Sequence, residues 1–155
     1  MIITCDLGAT NITGYFLYFG GLLFDFATYE GKNWICHVEN TERLIKEKRP
    51  QLFILEDCWK LAVNKQGYAN YHFRDLLKAI GGTELILSKN NIPYKNIYAT
   101  DWIDWEKVKG LERRKEGRKK IWYFKDRKIT EHEKDALLLF WIHWTKMEKK
   151  EWPWI

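Results

Sequence analysis

No stretch of about 18 consecutive apolar residues occurs in the 155-residue chain, which excludes a membrane-spanning helix. The N-terminus, MIITCDLGAT, has no basic residue before its apolar run and no cleavage pattern. It is therefore expected to be a strand rather than a secretion signal. Cysteine is scarce: Cys5, Cys36 and Cys58, odd in number and widely spaced. Such a set fits neither a disulfide framework nor a zinc site, so thiols in a reducing cytoplasm are the expectation. Internal repeats and low-complexity tracts are also missing, and the length suits one ordinary domain, residues 1–155.

What is abundant is aromatic. Nine Trp, eight Tyr and eight Phe make up 16% of the chain, and rings beyond the needs of a core mean either heavy packing or a stacking surface. Apolar residues at 46% and charged residues at 30% allow a substantial core and argue against disorder. The net charge of +5 is concentrated. Eleven bases and four acids share the segment Trp105–Lys128, which carries +7 and leaves −2 for the rest. Trp105, Trp122, Tyr123 and Phe124 are interleaved with those bases. A solvated basic helix is the plain reading of such a run; the interleaved rings point instead to a nucleic-acid surface.

Element signals come in order along the chain. Met1–Cys5 reads as a buried strand ending at Asp6. Ile12–Phe19 and Leu22–Thr28 flank the hairpin signal Gly20-Gly21. Asn40-Thr41 is expected to start a helix that Pro50 stops, and Gln51–Leu55 is a short apolar strand before Glu56-Asp57. Apolar spacing from Tyr68 to Ile80 is helical, and beyond Gly81-Gly82 it resumes at Leu85, as one kinked helix or two. Pro93–Ala99 reads as the last strand, with Thr100-Asp101 as a cap for the next segment. Thr130 with Glu133 forms a capping box for a final helix running to about Lys146, whose ALLLFWIHW centre is apolar all round. The order β-β-β-α-β-α-β-α implies one α/β domain with a mixed five-stranded sheet and helices on both faces.

Asp6 and Glu56 each end a strand. If those strands are parallel neighbours, both carboxylates emerge at one sheet edge, where ligands of open α/β sheets sit. His132 and Asp135, three residues apart at the start of the last helix, share a face. Three carboxylates and an imidazole at one point repel unless a cation neutralises them. Oxygen donors suit Mg²⁺ or Mn²⁺, and two such ions clamp both sides of a phosphodiester displacement. Each residue also has an ordinary reading: turn residue for Asp6, loop acid for Glu56, exposed helix-start residue for His132, and dipole-favoured first-turn acid for Asp135.

The pieces DLGATNITGY, FILEDCW and HEKDALLLF resemble, in order and separation, the RuvC-type Holliday junction resolvases of the ribonuclease-H-like superfamily. The first piece has one residue more between its Asp and Thr-Gly-Tyr than typical bacterial members, and the last has His where many have Asp. The resemblance implies a ribonuclease-H-like fold and a metal-dependent endodeoxyribonuclease that nicks four-way DNA junctions symmetrically as a homodimer in recombination and repair. It implies Asp6, Glu56, His132 and Asp135 as the catalytic, metal-binding set with Mg²⁺ or Mn²⁺, and Trp59 as a ring stacking near the crossover. The DNA-binding set expected is Trp59 with Lys107, Arg113, Arg114, Arg118, Lys119 and Lys120, and the expected location is bacterial or phage-infected cytoplasm. DLGATN also resembles the phosphate loop of sugar kinases and actin-like ATPases, with Gly8, Thr10 and Asn11 at the phosphates, although those enzymes need two such domains. The residues also leave open a ribonuclease-H-like nuclease acting on RNA or RNA–DNA hybrid, and a non-catalytic nucleic-acid-binding module.

Overall fold

The computed structural model describes residues 1–58, 73–98 and 105–154. Five strands form the main sheet: β1 (Ile2–Asp6), β2 (Ile12–Gly20), β3 (Leu23–Glu30), β4 (Leu52–Asp57) and β5 (Tyr94–Tyr98), in the order β3-β2-β1-β4-β5. The hairpin signal at Gly20-Gly21 joins antiparallel β2 and β3, and β1 runs antiparallel to β2. β4 lies parallel to both β1 and β5. Helices α1 (Trp34–Lys48) and α2 (Arg74–Lys89) cover one face, packing with Ile3, Cys5, Phe53 and Leu55. Helix α3 (Glu131–Trp141), extended by a wider π-helical stretch at Ile142–Met147, covers the other with Phe16, Tyr18, Ile54 and Ile97. This is the ribonuclease-H-like architecture.

One sequence expectation needs correction, one open alternative is decided, and the basic stretch takes a form that the expected element order did not include. Helix α1 starts at Trp34, not at Asn40-Thr41: Asn33 is the cap, accepting from the Cys36 amide at 3.0 Å. Thr41 resembles a cap but is buried mid-helix, bonded to the His37 carbonyl at 2.9 Å and the Tyr15 hydroxyl at 2.7 Å. The Gly81-Gly82 pair does not break α2, because at Gly82 the missing side chain lets Val38 of α1 approach. The basic stretch is not a solvated helix. It forms a second antiparallel sheet, β6 (Leu111–Glu116), β7 (Lys119–Phe124) and β8 (Arg127–Ile129), three strands beyond the expected order. The expected helix start at Tyr68 and the cap at Thr100-Asp101 lie outside the described residues.

The aromatic excess is mostly packing. Phe16, Phe24, Phe124, Phe140, Trp152 and Trp154 meet at ring-centroid distances of 4.9–6.5 Å, largely tilted or edge-on. Those geometries suit the ring quadrupole. The cluster ties β2, β3, β7, α3 and the C-terminal segment into one core. None of the three cysteines is disulfide-bonded, and Cys5 and Cys58 are buried. Among the described residues no helix is long and apolar enough to cross a membrane.

Candidate active site

Strand alternation decides where the acids point. Ile3 and Cys5 of β1 and Phe53 and Leu55 of β4 face α1 and α2, while Ile2, Leu52 and Ile54 belong to the α3 side. Asp6 and Glu56 keep the α3-side parity, since successive side chains alternate. The parallel register pairs Cys5 with Leu55, so Asp6 and Glu56 come next, side by side at the strand ends.

Helix α3 delivers the other two residues. Its N-terminus lies against β2 at Gly14, the residue opposite Asp6 in the β1–β2 ladder. A Cβ at Gly14 would come within 2.6 Å of the Glu133 amide nitrogen and closer still to the His132 carbonyl. Only a missing side chain permits that approach. One turn further on, the buried Thr4 hydroxyl donates to the Ala136 carbonyl at 2.5 Å, fixing the helix along β1. The Thr130–Glu133 capping box sets the first turn. His132 Nδ1 then reaches Asp6 Oδ2 at 2.6 Å.

The electrostatics show what the cluster resists. Burial, then a hydrogen bond and repulsion from Asp6, then repulsion from Asp135, push the Glu56 carboxyl up to about 9. Burial also raises Asp135, to about 6, against the opposing pull of Lys134. The Asp6 hydrogen bond holds the His132 imidazole above its ordinary value in spite of partial burial. Lys134, unremarked in the sequence, is buried with its ammonium 2.7 Å from Asp135 and 2.6 Å from Glu131. Burial disfavours that ammonium, but the two carboxylates outweigh it and the net shift is upward. Its position between His132 and Asp135 was the available signal. The structure thus brings Asp6, Glu56, His132 and Asp135 into electrostatic contact. Among the described residues no three His, Cys, Asp or Glu side chains are already arranged as a metal centre; His132 and Lys134 engage Asp6 and Asp135 directly.

A cleft of about 350 Å³ opens beside the acids, between the Leu7–Ile12 loop and Phe73, Leu76 and Ile80 of the α2 side. The loop is held from beneath. Buried His37 donates from Nε2 to the Gly31 carbonyl at 3.3 Å, so its Nδ1 accepts from Thr13 Oγ1 at 2.7 Å, and Thr13 accepts from the Gly8 amide at 2.9 Å. Burial keeps His37 below its ordinary value, consistent with the neutral ring this chain requires. The Gly8 amide is therefore engaged internally rather than presented to a phosphate, which counts against the ATPase-type reading of DLGATN.

The basic residues divide. Arg114 is ion-paired with Glu112 at 2.8 Å and Asp126 at 2.6 Å, and Arg113 lies over the Trp122 ring at 5.3 Å. Arg118, Lys119 and Lys120 are exposed at the β6–β7 hairpin end, and Lys107 is exposed just before β6. Trp59 lies outside the described residues.

No protein-family profile matches the chain, and no curated protein matches it. Among solved structures its fold is that of RuvC. The chain is similar to Thermus thermophilus RuvC in complex with a Holliday junction substrate, at 13% identity and TM-score 0.57, over 94% of each chain. It is also similar to a second Thermus thermophilus RuvC structure, at 12% identity and TM-score 0.55, over 95% of this chain and 96% of that one. At such identities the likeness is one of fold.

Proposed function

We propose that the chain is a divalent-metal-dependent endodeoxyribonuclease that nicks four-way DNA junctions, acting as a homodimer in recombination and repair. The observation that carries this reading is the meeting of Asp6 and Glu56, at adjacent parallel strand ends, with His132 and Asp135 from the first turn of α3, on a RuvC fold. The donor set fits Mg²⁺ or Mn²⁺. Burial first, and then repulsion from neighbouring carboxylates, raise the Glu56 and Asp135 carboxyls above their ordinary range, and a hard cation favours their ionised form. Asp6, Glu56, His132 and Asp135 would hold the metal, which when bound supplies charge stabilisation at the attacking and leaving oxygens of the phosphodiester.

The chain's own groups do the rest. Asp6 orients the His132 ring through Nδ1, leaving Nε2 as its second contact point. Lys134 balances Asp135 and Glu131 at the helix start. The Thr13–His37 pair holds the loop that walls the cleft. A symmetric dimer on a pseudo-two-fold junction would place two such sites on opposed strands.

The test is nicking of four-way junctions against linear duplex and RNA–DNA hybrid, with Mg²⁺ or Mn²⁺. Junctions should be cut, and Mn²⁺ should serve at least as well as Mg²⁺, since an imidazole ligand suits Mn²⁺ better. Asp6→Asn, Glu56→Gln and Asp135→Asn should each abolish cleavage and keep junction binding. Near-normal turnover in any one removes that residue from the set. Preferential cutting of hybrid would move the substrate class to RNA.

A further inference from the structure

We propose that the β6–β7 ribbon is a clamp for a double-helical DNA arm, gripping phosphates with Lys115, Arg118, Lys119 and Lys120 at its free end. This rests on the reading that the chain acts on DNA, and it separates the basic segment into binding and structural residues.

The ribbon is built to project. Its register runs from Leu111 opposite Phe124 at the root to Glu116 opposite Lys119 at the end. Six residues per strand at about 3.4 Å each give a length of about 20 Å. The connecting loop is two residues, Gly117 and Arg118, and Gly117 has φ +60°, the requirement of the first central position of a II′ hairpin turn. The return loop to β8, Lys125 and Asp126, has positive φ at both residues, as a I′ turn does.

The root is fixed. Leu111, Trp122, Phe124 and Ile129 are buried in the core shared with α3. Trp105 meets Trp122 edge-on at 4.9 Å, and Trp122 Nε1 donates to Glu131 at 2.6 Å, next to His132. The ribbon is thus rooted in the core beside the first turn of α3.

The charges are sorted along it. Arg114 is neutralised by Glu112 and Asp126. Glu116, the one acid near the end, accepts from Tyr123 and is ion-paired with Lys128 at 3.2 Å. Arg127 is ion-paired with Asp25 of β3. Among the described residues, Lys115, Arg118, Lys119 and Lys120 have no acidic partner, and all four are exposed. In an isolated domain such a cluster is self-repelling, and a polyanion relieves it. Duplex DNA is favoured over a flexible strand because a two-stranded β-ribbon matches the width of a B-form major groove. The aromatic rings of the ribbon are also engaged: Trp122 and Phe124 are in the core, and the Tyr123 ring carries Arg114 over its face at 4.6 Å, so single-strand stacking is not what the ribbon offers.

The experiment uses the full chain carrying Lys115→Gln, Arg118→Gln, Lys119→Gln and Lys120→Gln together. Binding to a four-way junction, to a linear duplex of one arm's sequence and to a single strand of that arm is measured by fluorescence anisotropy over a salt series, without activating metal. Each lost phosphate contact lowers the slope of log affinity against log salt by about 0.9. The expected result is a fall of about 3–4 in slope on both substrates, with Arg114→Gln leaving the slope unchanged. An unchanged slope overturns the clamp. So does a loss confined to the junction, which would put the ribbon at the crossover, or an equal loss on single strands with none on duplex. Cleavage is not needed for this readout: a chain that never cuts DNA yet loses the slope keeps the clamp and loses the nuclease, and a chain that cuts junctions with the slope intact does the reverse.

Discussion

Replacing Glu56 by Gln should stabilise the metal-free protein at neutral pH while ending cleavage. In the folded chain the Glu56 carboxyl keeps its proton to about 9, against an ordinary 4.5, because burial and the neighbouring Asp6 and Asp135 penalise the anion. The unfolded chain ionises at the ordinary value. For an acid raised in this way, stability is fully present below the unfolded value and is lost as pH rises through the folded one. Each pH unit in between costs about 1.4 kcal/mol, so on this reasoning the penalty by pH 7 is about 3 kcal/mol, order of magnitude. Glutamine keeps the shape, donates an amide hydrogen towards Asp6 and has no proton to lose. The raised His132 slopes the same way, and comparison of variant with parent largely cancels it. Thermal unfolding in chelator should give nearly matched midpoints at about pH 5 and, from a difference of about 5 kcal/mol at roughly 2–4 °C per kcal/mol, a variant midpoint at least about 10 °C higher at about pH 8. Adding Mn²⁺ should raise the parent's midpoint and barely move the variant's. A variant less stable than the parent at the higher pH, or parallel pH slopes, would refute the burial-and-repulsion account of Glu56.

Gly14→Ala should drive a methyl into the His132–Glu133 backbone and destabilise by about 1–3 kcal/mol as overpacking does. Its nicking rate should fall at least about tenfold (about 1.4 kcal/mol) as His132 moves off Asp6; full activity with a normal melting curve would show that the approach is not needed. Thr13→Val should leave the Gly8 amide and His37 Nδ1 without their partner, a loss of about 1–3 kcal/mol per buried group. Hydrogen exchange should then quicken at Gly8, and unchanged exchange there would mean the relay does not hold the loop.

Much of the main sheet was legible because its signals are local. Gly20-Gly21 marks a hairpin whatever surrounds it, and the Thr130–Glu133 capping box starts a helix by bonds within four residues. Asp6 and Glu56 could be placed at strand ends from short apolar runs alone. The misreadings came where a residue's local preference yields to its neighbours. Thr41 has the chemistry of a cap, yet Tyr15 draws its hydroxyl into the core. The basic segment carried no strand signal that its charge did not mask, whereas Gly117 and the Ile121–Phe124 run make it a ribbon once Trp122 and Phe124 have a core to enter.

The amino-acid sequence by itself determined the order of the main-sheet elements and the chemical identity of the four candidate site residues, because strand alternation, turn glycines and helix caps act over a few residues. Only the tertiary structure decided that Gly14 admits α3 against β2, that Lys134 turns inward onto Asp135, and that Arg114 is paired while Arg118, Lys119 and Lys120 have no acidic partner among the described residues. Those outcomes depend on which distant backbone a side chain meets, and a close approach or an ion pair between elements has no period along the chain.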